Sequence, residues 1–232
     1  MTLKKWEELP AQMRNEKVKP YYKRLRKRGL SLKVKRGIDI AGSAVLIVLL
    51  SPVMAGLSVA IKLDSKGPVF FRQERITQYG RKYRIFKFRT MVADADKKGP
   101  AVTTSGDSRI TRMGNLLRKC RLDELPQLFN VLLGDMSFVG TRPEVKKYVE
   151  AYTEEMWATL LLPAGITSKT SIVYKDEDEI MEKYISQGEA VDDVYIKRIL
   201  PDKMKHNLAY LKHFSALGDI GIMIETVFAV LR

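Results

Sequence analysis

The sequence has one cysteine and two histidines among its 232 residues, and this scarcity excludes several classes of protein. A single thiol, Cys120, cannot build an intrachain disulfide framework, so the chain fits a reducing compartment. Because Cys120 follows Leu116 and Leu117 in a helix-like pattern, we expect a buried, inert thiol. His206 and His213 could share a helix face, but no third His or Cys nearby completes a zinc site. Glycine-rich phosphate loops of the GxGxxG or Walker type are also missing.

Acidic residues are few relative to basic ones: 41 Lys and Arg stand against 27 Asp and Glu, a formal net charge of +14. This excess indicates an anionic partner, which is a nucleic acid, an anionic membrane surface or a phosphorylated substrate. Residues 1–36 form a basic N-terminal segment with clusters at 23–28 and 33–36. They read as a solvated tail or, given the apolar run that follows, as a segment bound to anionic membrane lipids.

Charge is absent altogether from residues 40–61, an apolar run of membrane-helix length. It starts too far into the chain for a secretory signal peptide. Ser51-Pro52 falls at its middle, where proline removes a backbone hydrogen bond and kinks a helix. Both flanks are basic, which favours both ends on the cytoplasmic face. We therefore expect a re-entrant helix-break-helix over 37–62, with Ser51 satisfying carbonyls freed at the bend. A spanning helix and a buried core helix stay open as alternatives.

Residues 63–232 predict a separate domain on the cytoplasmic face, and the chain as a whole is expected to be mostly helical, in an α+β class. Turn signals at 66–68 and 79–80 flank strand-like segments at 69–71 and 83–88, which together predict a small basic β-hairpin. Residues 92–108 are polar and read as a mobile loop or lid.

Apolar residues at helical spacing predict most of the remaining elements. We expect helices over 109–119 and about 144–161, a break at 163–165, a strand at 171–174, a solvated helix start at 175–179, and helices opening at 191 and 206. Residues 220–231 predict an amphipathic helix that could rest on the core, in the membrane interface or in a homodimer.

Two adjacent acids, Asp123 and Glu124, precede a proline-led run that predicts a short buried helix ending at Gly134. Arg118 and Arg142 bracket the acids. The helix N-terminus and these arginines favour ionised carboxylates. Such carboxylates can be nucleophiles, metal ligands or general bases, although most acids at this position only cap a helix. The apolar face of the predicted helix consists of Leu125, Leu128, Phe129, Leu132 and Leu133.

Three segments together resemble the bacterial sugar transferase family, the small monotopic phosphoglycosyl transferases that start glycan assembly on a polyprenyl phosphate. They are the basic apolar run with Ser51-Pro52, KFRTM at residues 87–91 and RLDELPQLFNVLLGDMSFVGTRPE at residues 121–144. The resemblance covers roughly residues 34–225. It implies a re-entrant membrane helix broken at the Ser-Pro pair, and we expect no extra amino-terminal domain of the kind that larger members carry.

The resemblance also implies a reaction, in which a UDP-sugar with Mg²⁺ meets polyprenyl (undecaprenyl) phosphate at the cytoplasmic face of the bacterial inner membrane. Asp123 would attack the sugar-bearing phosphorus, release UMP and hold a covalent sugar phosphate that the polyprenyl phosphate then accepts. Glu124 would assist, as a metal-site partner with Asp123 or as a base. Further positions matching phosphate-binding or active-site residues of the family are Lys87, Arg89, Arg118, Arg142 and Asp193, the last at a variable spacing.

Thr141 departs from the family pattern, since many relatives have proline before the arginine. Arg142 is kept, so phosphate binding should survive, while the looser turn could mark a different sugar. Two other functions compete with the transferase: a membrane-tethered nucleic-acid binder, suggested by the charge, and a catalytically silent scaffold for glycan enzymes. The chain has no nucleic-acid fold signature and its cations gather around acids, so we expect no nucleic-acid partner.

Overall fold

The structure is a computed structural model that describes residues 1–95, 107–174, 177–185 and 188–231. As predicted, the chain is mostly helical with small sheets. Its first half contains α1 (Lys19–Arg26), α2 (Gly29–Asp64), β1 (Phe70–Ile76), β2 (Lys82–Phe88), α3 (Arg112–Lys119), α4 (Gln127–Leu133) and β3 (Met136–Val139). Its second half contains α5 (Lys146–Val149), β4 (Ala164–Thr167), α6 (Lys169–Val173), α7 (Glu177–Ile185), α8 (Val191–Val194), α9 (Leu200–His213) and α10 (Ala216–Leu231).

Helix α2 is the one described helix that is long and apolar enough to cross a membrane. It runs without interruption past Pro52, so the predicted break at 51–52 is wrong as a helix boundary. Proline has no N–H for the carbonyl of Val48, and the Ser51 hydroxyl donates to that oxygen instead, at 2.8 Å. This confirms the role predicted for Ser51, and it explains how helical geometry continues through the proline.

Both ends of α2 contact the rest of the folded chain. Near its start, Arg36 caps the end of α4 by donating to the carbonyls of Val131 and Leu132, at 2.6 and 2.9 Å. Near its end, Ile61 is buried in a cluster with Phe88. The large apolar side chains exposed between these anchors include Val45, Val48, Leu49, Val53 and Val59. Helix α2 is therefore held at both ends and bare along its middle.

Residues 1–36 are not a solvated tail, so that reading is wrong. Leu9, Met13, Val18 and Leu25 are buried in the same hydrophobic cluster as residues of α9. These apolar residues are widely spaced among many Lys and Arg residues, so the basic charge dominates the sequence pattern of this segment. The alternative reading, a membrane-surface segment, stays a prediction.

Strands β1 and β2 form the predicted antiparallel hairpin, with Phe70 opposite Phe88 and Ile76 opposite Lys82. Its turn falls where the sequence placed it. Tyr79 and Gly80 both take left-handed backbone conformations, with φ of 59° and 74°.

A parallel pair of strands escaped prediction. In this pair, Met136 of β3 lies opposite Ala164 of β4. Each strand has four residues, too few to show an alternating pattern. The strand predicted at 171–174 is wrong: these residues belong mostly to α6. There Ser168 caps the helix by accepting a hydrogen bond from the amide of Ser171.

The helices predicted at 109–119, 191 and 206 are confirmed by α3, α8, α9 and α10. The helix predicted over 144–161 is split into α5 and a 3-10 helix at Met156–Leu161. Cys120 is exposed, contrary to expectation, because it lies at the C-cap of α3. The predicted loop at 92–108 lies mostly outside the described residues, as does the start of the acidic run at 175–179, whose helix α7 begins at Glu177.

Helix α10 is amphipathic as predicted. Its acid Asp219 is buried against Lys35 of α2 at 2.6 Å. The large apolar side chains that it exposes are Leu217, Ile220, Ile224, Val227 and Phe228. Together with the bare middle of α2, these side chains give the molecule extensive exposed apolar surface.

Candidate active site

The acids lie in a single 3-10 turn, Leu122–Glu124, immediately before α4. Arg121 enters this turn with a left-handed backbone, at φ 55°, and Pro126 forms the N-cap of α4. The side chains of both acids are removed from solvent, Asp123 at 7% and Glu124 at 9% exposure. Two neighbouring carboxylates are thus buried at a helix N-terminus, where the helix dipole favours negative charge.

The helix behind the acids is confirmed with two changes to its apolar face. Gly134 ends α4 in a left-handed conformation, at φ 88°, as predicted. Leu128 is buried, but Leu132 and Leu133 are 36% and 70% exposed, so these two residues are not part of the core. Asn130 is buried instead, fully removed from solvent.

Lys87 and Arg142 hold Glu124 from two sides. The Nζ atom of Lys87 donates to Glu124 Oε1 at 2.8 Å, and Arg142 donates to the same oxygen at 2.8 Å. Lys87 lies farther from Asp123, at 3.8 Å from Oδ2. Residues from β2, the turn before α4 and the segment after β3 therefore meet at one point. The structure brings these four of the predicted site residues together, and their roles stay predictions.

The two acids respond differently to this environment. For Glu124, burial alone would raise the pKa, but the charges of Arg142 and Lys87 outweigh it and hold the pKa far below its usual range. For Asp123, burial raises the pKa, with Lys87 the strongest opposing cation. The nearby cations thus favour ionisation of both acids, as expected, but at Asp123 burial outweighs them and the net pKa shift is upward.

A cavity of about 450 Å³ opens beside Asp123. Charged side chains on its wall include Arg75 on β1, Lys87 on β2 and Arg118 on α3. Apolar side chains on its wall include Phe70, Phe71 and Phe88 of the hairpin and Pro68 just before it. The cavity has the mixed lining of a small-molecule site, with cations concentrated near the buried acid.

Asn130 positions the hairpin against the acid-bearing helix. Its side-chain Nδ2 donates to the carbonyl of Arg84 at 3.0 Å, and its Oδ1 accepts from the amide of Phe86 at 2.8 Å. The amide side chain therefore satisfies the free edge of β2 as a neighbouring strand would. Lys87 directly follows Phe86, so the hydrogen bond between Phe86 and Asn130 helps to fix the position of the Lys87 ammonium group beside Glu124.

Two other predicted site residues are placed differently. Arg89 lines the cavity, yet its terminal nitrogens donate to main-chain carbonyls at the end of α2, including Lys66 and Ser65, both at 2.6 Å. Gly67 allows this, because a Cβ there would lie 1.9 Å from the Arg89 guanidinium. Asp193 pairs with Lys197 at 3.1 Å, is mostly exposed and is not among the residues that line the cavity.

Arg75 and Asn130 were missed by sequence reasoning, and the hairpin register could have found the first. Arg75 pairs with Tyr83, and Lys87 pairs with Phe71, so Arg75 and Lys87 share one face of the hairpin. Two of the buried polar atoms without a partner in the described chain belong to this face: Arg75 Nε and Tyr83 Oη. Such atoms mark a place where a polar ligand could complete the hydrogen bonding.

The donor set at the acids fits Mg²⁺ bound jointly with a substrate. Among the described residues no three acids, histidines or cysteines form a group able to hold a metal by themselves. Mg²⁺ commonly uses one or two carboxylates and completes its octahedral shell with phosphate oxygens and water. Asp123 lines the cavity, and Glu124 lies beside it in the chain with its Oε1 bonded to Lys87 and Arg142.

These features define a class of protein. A buried acid pair held by cations, beside a cavity and near a bare apolar helix, suggests a membrane-associated enzyme that handles anionic groups. The chain belongs to the bacterial sugar transferase family, whose model matches residues 30–232.

Relatives of known name support the same class. A UDP-N-acetylgalactosamine-undecaprenyl-phosphate N-acetylgalactosaminephosphotransferase of Aeromonas hydrophila is 37% identical over 85% of this chain and 44% of the relative. Two UDP-glucose:undecaprenyl-phosphate glucose-1-phosphate transferases are each 34% identical. The Escherichia coli protein matches over 86% of this chain and 40% of its own length, and the Caulobacter vibrioides protein over 85% and 69%. The chain thus spans about two fifths of the first two relatives.

Proposed function

We propose that this chain transfers a sugar-1-phosphate from a UDP-sugar to undecaprenyl phosphate and releases UMP. The observation that carries the proposal is the buried Asp123–Glu124 pair, held by Lys87 and Arg142 at the wall of a cavity. Relatives named for this transfer to undecaprenyl phosphate use UDP-glucose or UDP-N-acetylgalactosamine. The product would be the first lipid-linked intermediate of a glycan.

In the first step, a carboxylate oxygen of Asp123 attacks the sugar-bearing phosphorus of the donor. The P–O bond to the nucleotide breaks, and UMP leaves with the electron pair. Asp123 suits this role because its raised pKa makes the ionised oxygen a better nucleophile than an ordinary carboxylate. Arg118 and Lys87 face the same cavity and would stabilise the charge spread over the phosphoryl oxygens.

In the second step, a phosphate oxygen of the lipid attacks the same phosphorus. The bond between the phosphorus and Asp123 breaks, which regenerates the carboxylate and gives the polyprenyl diphosphate sugar. Glu124 stays ionised throughout, because two cations hold its charge. Its role is therefore to fix Lys87 and Arg142 beside the phosphates, with Asp123 as the reacting acid.

Magnesium fits this proposal through the acid pair. Asp123 and Glu124 would hold the ion with the donor phosphates, and the bound ion would neutralise phosphate charge during the transfer.

A re-entrant path for α2 is part of the proposal. A helix that spans the bilayer places its flanks about 30 Å apart, on opposite sides. Here both flanks contact the same folded domain. At the first flank, Lys35 and Asp39 form hydrogen bonds with α10 and β3. At the second flank, Ile61 and Ser65 accept hydrogen bonds from Arg89. Contacts of both flanks with the same unit support entry and exit by one face. The bare middle of α2 and the apolar face of α10 would then lie in the cytoplasmic leaflet of the inner membrane.

The proposal is tested by UMP release from a panel of UDP-sugars with undecaprenyl phosphate. Wild type should release UMP with at least one donor, and Asp123→Asn should lose about a thousandfold or more of the rate, because it removes the nucleophile. Glu74→Gln is the matched control, since it neutralises an exposed acid on β1 outside the cavity. Full activity of Asp123→Asn would refute the mechanism, and no release with any donor would refute the function.

A further inference from the structure

Arg75 is a cation on the cavity wall that the proposed two-step mechanism does not use. It lies on β1, opposite Tyr83, on the hairpin face that also carries Lys87. The same cavity is lined by Arg75, Lys87, Arg118 and Asp123. A ligand that reaches Asp123 therefore lies within the space that Arg75 borders.

The partners of Arg75 are all neutral. Its terminal nitrogens donate to the carbonyl of Pro143 at 3.2 Å and to the side-chain oxygen of Gln73 at 2.6 Å. Its Nε atom is removed from solvent and has no acceptor among the described residues. Two contacts thus fix the guanidinium in place, and they use two of its five N–H groups.

The acid that influences Arg75 most is already engaged elsewhere. Glu144 accepts a hydrogen bond from the Tyr195 hydroxyl at 2.6 Å and lies 3.7 Å from Lys203. In the part of the chain that the structure describes, Arg75 forms no ion pair with a carboxylate. Lys87 differs, since Glu124 compensates its charge at 2.8 Å.

A desolvated charge without an opposite charge is costly unless a ligand supplies one. The guanidinium fork suits phosphate oxygens, and the contact with Pro143 ties Arg75 to the turn that carries Arg142. An anion bound at Arg75 would therefore lie near the turn that carries Arg142 and within the cavity that Asp123 also lines.

We propose that Arg75 binds a phosphoryl group of the substrate through the part of its guanidinium that borders the cavity, a binding role that rests on the proposed transferase function. The ligand is a phosphate ester, which could be the diphosphate of the UDP-sugar or the monophosphate of the lipid acceptor. Both present the same anionic oxygens, so the experiment must separate them.

The test compares steady-state kinetics of Arg75→Gln and Arg75→Lys with those of Arg84→Gln. Arg84 lies on the same hairpin but faces away from the cavity, opposite Glu74. A charged hydrogen bond of this kind is worth about a tenfold to hundredfold change in affinity. Arg75→Gln should raise KM for one substrate by that factor, and Arg75→Lys, which keeps the charge without the fork, should recover part of it. Arg84→Gln should match wild type.

A rise in KM for the UDP-sugar assigns the bound phosphate to the donor, and a rise for undecaprenyl phosphate assigns it to the acceptor. Unchanged KM and kcat in Arg75→Gln, alongside an active wild type, would overturn the role of Arg75 and leave the transferase function standing.

A measurement on wild type covers the case in which the variants do not fold or wild type shows no turnover. Phenylglyoxal modifies accessible arginines, and peptide mass spectrometry reports the extent at each one. UDP or undecaprenyl phosphate should slow modification of Arg75 and leave that of Arg84 unchanged. Equal modification of Arg75 with and without both compounds would overturn the proposal, whereas protection in an inactive protein would support the phosphate site while the transferase function fails.

Discussion

Asp123 and Glu124 are neighbours in the chain, yet their side chains have opposite electrostatic environments. Glu124 receives Lys87 and Arg142 on one oxygen, at 2.8 Å each. Asp123 is similarly buried but has its nearest cation at 3.8 Å, so desolvation is not offset and its pKa rises. Glu124 is therefore an anion that fixes the positions of Lys87 and Arg142. Asp123 is the acid with the raised pKa, and it lines the cavity.

The two acids should affect stability with opposite signs. A lowered pKa means that ionised Glu124 stabilises the fold above its unfolded pKa, 4.5, and that this contribution is lost as the pH falls. A raised pKa means that ionised Asp123 is unfavourable in the fold near neutral pH. In thermal melts at pH 7.5, Glu124→Gln should lower Tm by about 3 °C or more, as expected for one lost partner of a buried pair. Asp123→Asn should leave Tm unchanged or raise it. Equal losses in both variants would contradict the assignment of opposite environments.

The raised pKa of Asp123 should also appear in the pH dependence of catalysis. The nucleophile must be ionised, so the acid limb of UMP release should lie above the ordinary aspartate range near 3.9. Lys87→Met removes the largest opposing cation, which should raise the pKa of Asp123 further and move that limb to higher pH. The control is Lys82→Met, an exposed lysine of β2 that pairs with Glu74 and should leave the limb in place. A limb that stays fixed or moves to lower pH in Lys87→Met would argue against Asp123 as the titrating group.

At this scale, the sequence predicted much of the site. Asp123, Glu124, Lys87 and Arg142 were expected to meet, and they do. The roles of Arg89 as the anchor of α2 and of Arg75 on the cavity wall could not be read from the motif. They depend on which backbone carbonyls and strand faces the fold brings near, and such contacts join residues far apart in sequence.

Among the elements, α4 and β2 form the unit that matters most for the chemistry. The 3-10 turn immediately before α4 carries the acids, and β2 carries Lys87 near its end. Asn130 joins them by pairing with the backbone at Arg84 and Phe86. The rings of Phe86 and Phe129 add a contact, with centroids 6.0 Å apart.

Loss of the Asn130 amide should weaken this unit. Asn130→Ala leaves the Phe86 amide of β2 without its partner and removes one of the two donors to the Arg84 carbonyl, which costs on the order of 2 kcal/mol and about 4–8 °C in Tm. UMP release should fall by about tenfold or more, since Lys87 loses its fixed position. Asn115→Ala provides the control, because Asn115 is exposed on α3. Wild-type stability and activity in Asn130→Ala would refute the positioning role.

The elements differ in how well the sequence predicts them. The hairpin and α4 have local sequence signals. Tyr79-Gly80 marks the turn of the hairpin, and Pro126 and Gly134 mark the start and the end of α4. The pairing of β3 with β4 joins four-residue strands about 28 positions apart, and nothing local marks either one. The uninterrupted α2 shows that Ser51 repairs the carbonyl that Pro52 leaves free, so an expected break is compatible with continuous helical geometry.

For the whole molecule, exposed apolar surface is concentrated in the middle of α2 and on one side of α10. A buried ion pair, Lys35 with Asp219, joins these two helices at 2.6 Å. Lys35 also donates to the carbonyl of Val139 on β3, at 2.6 Å. The same lysine therefore connects α2 and α10, which carry the exposed apolar surface, to β3.

The proposed re-entrant path of α2 predicts a membrane topology that labelling can check. In a Cys120→Ser background, which removes the exposed native thiol, Leu30→Cys and Lys66→Cys mark the two flanks. A membrane-impermeant maleimide should label both positions in inside-out vesicles and neither in spheroplasts. Ser51→Cys should resist labelling from both sides. Labelling of the two flanks from opposite sides would establish a spanning helix and refute the re-entrant path.

The central claim is that the side chain of Asp123 forms a bond to phosphorus. Purified protein in detergent should be incubated with its UDP-sugar without acceptor, quenched in acid and digested, and the peptide containing residue 123 analysed by mass spectrometry. The account predicts a sugar phosphate on Asp123 that disappears when undecaprenyl phosphate is added and that is absent from Asp123→Asn. UMP release without any adduct, or an adduct on a different residue that persists in Asp123→Asn, would contradict it.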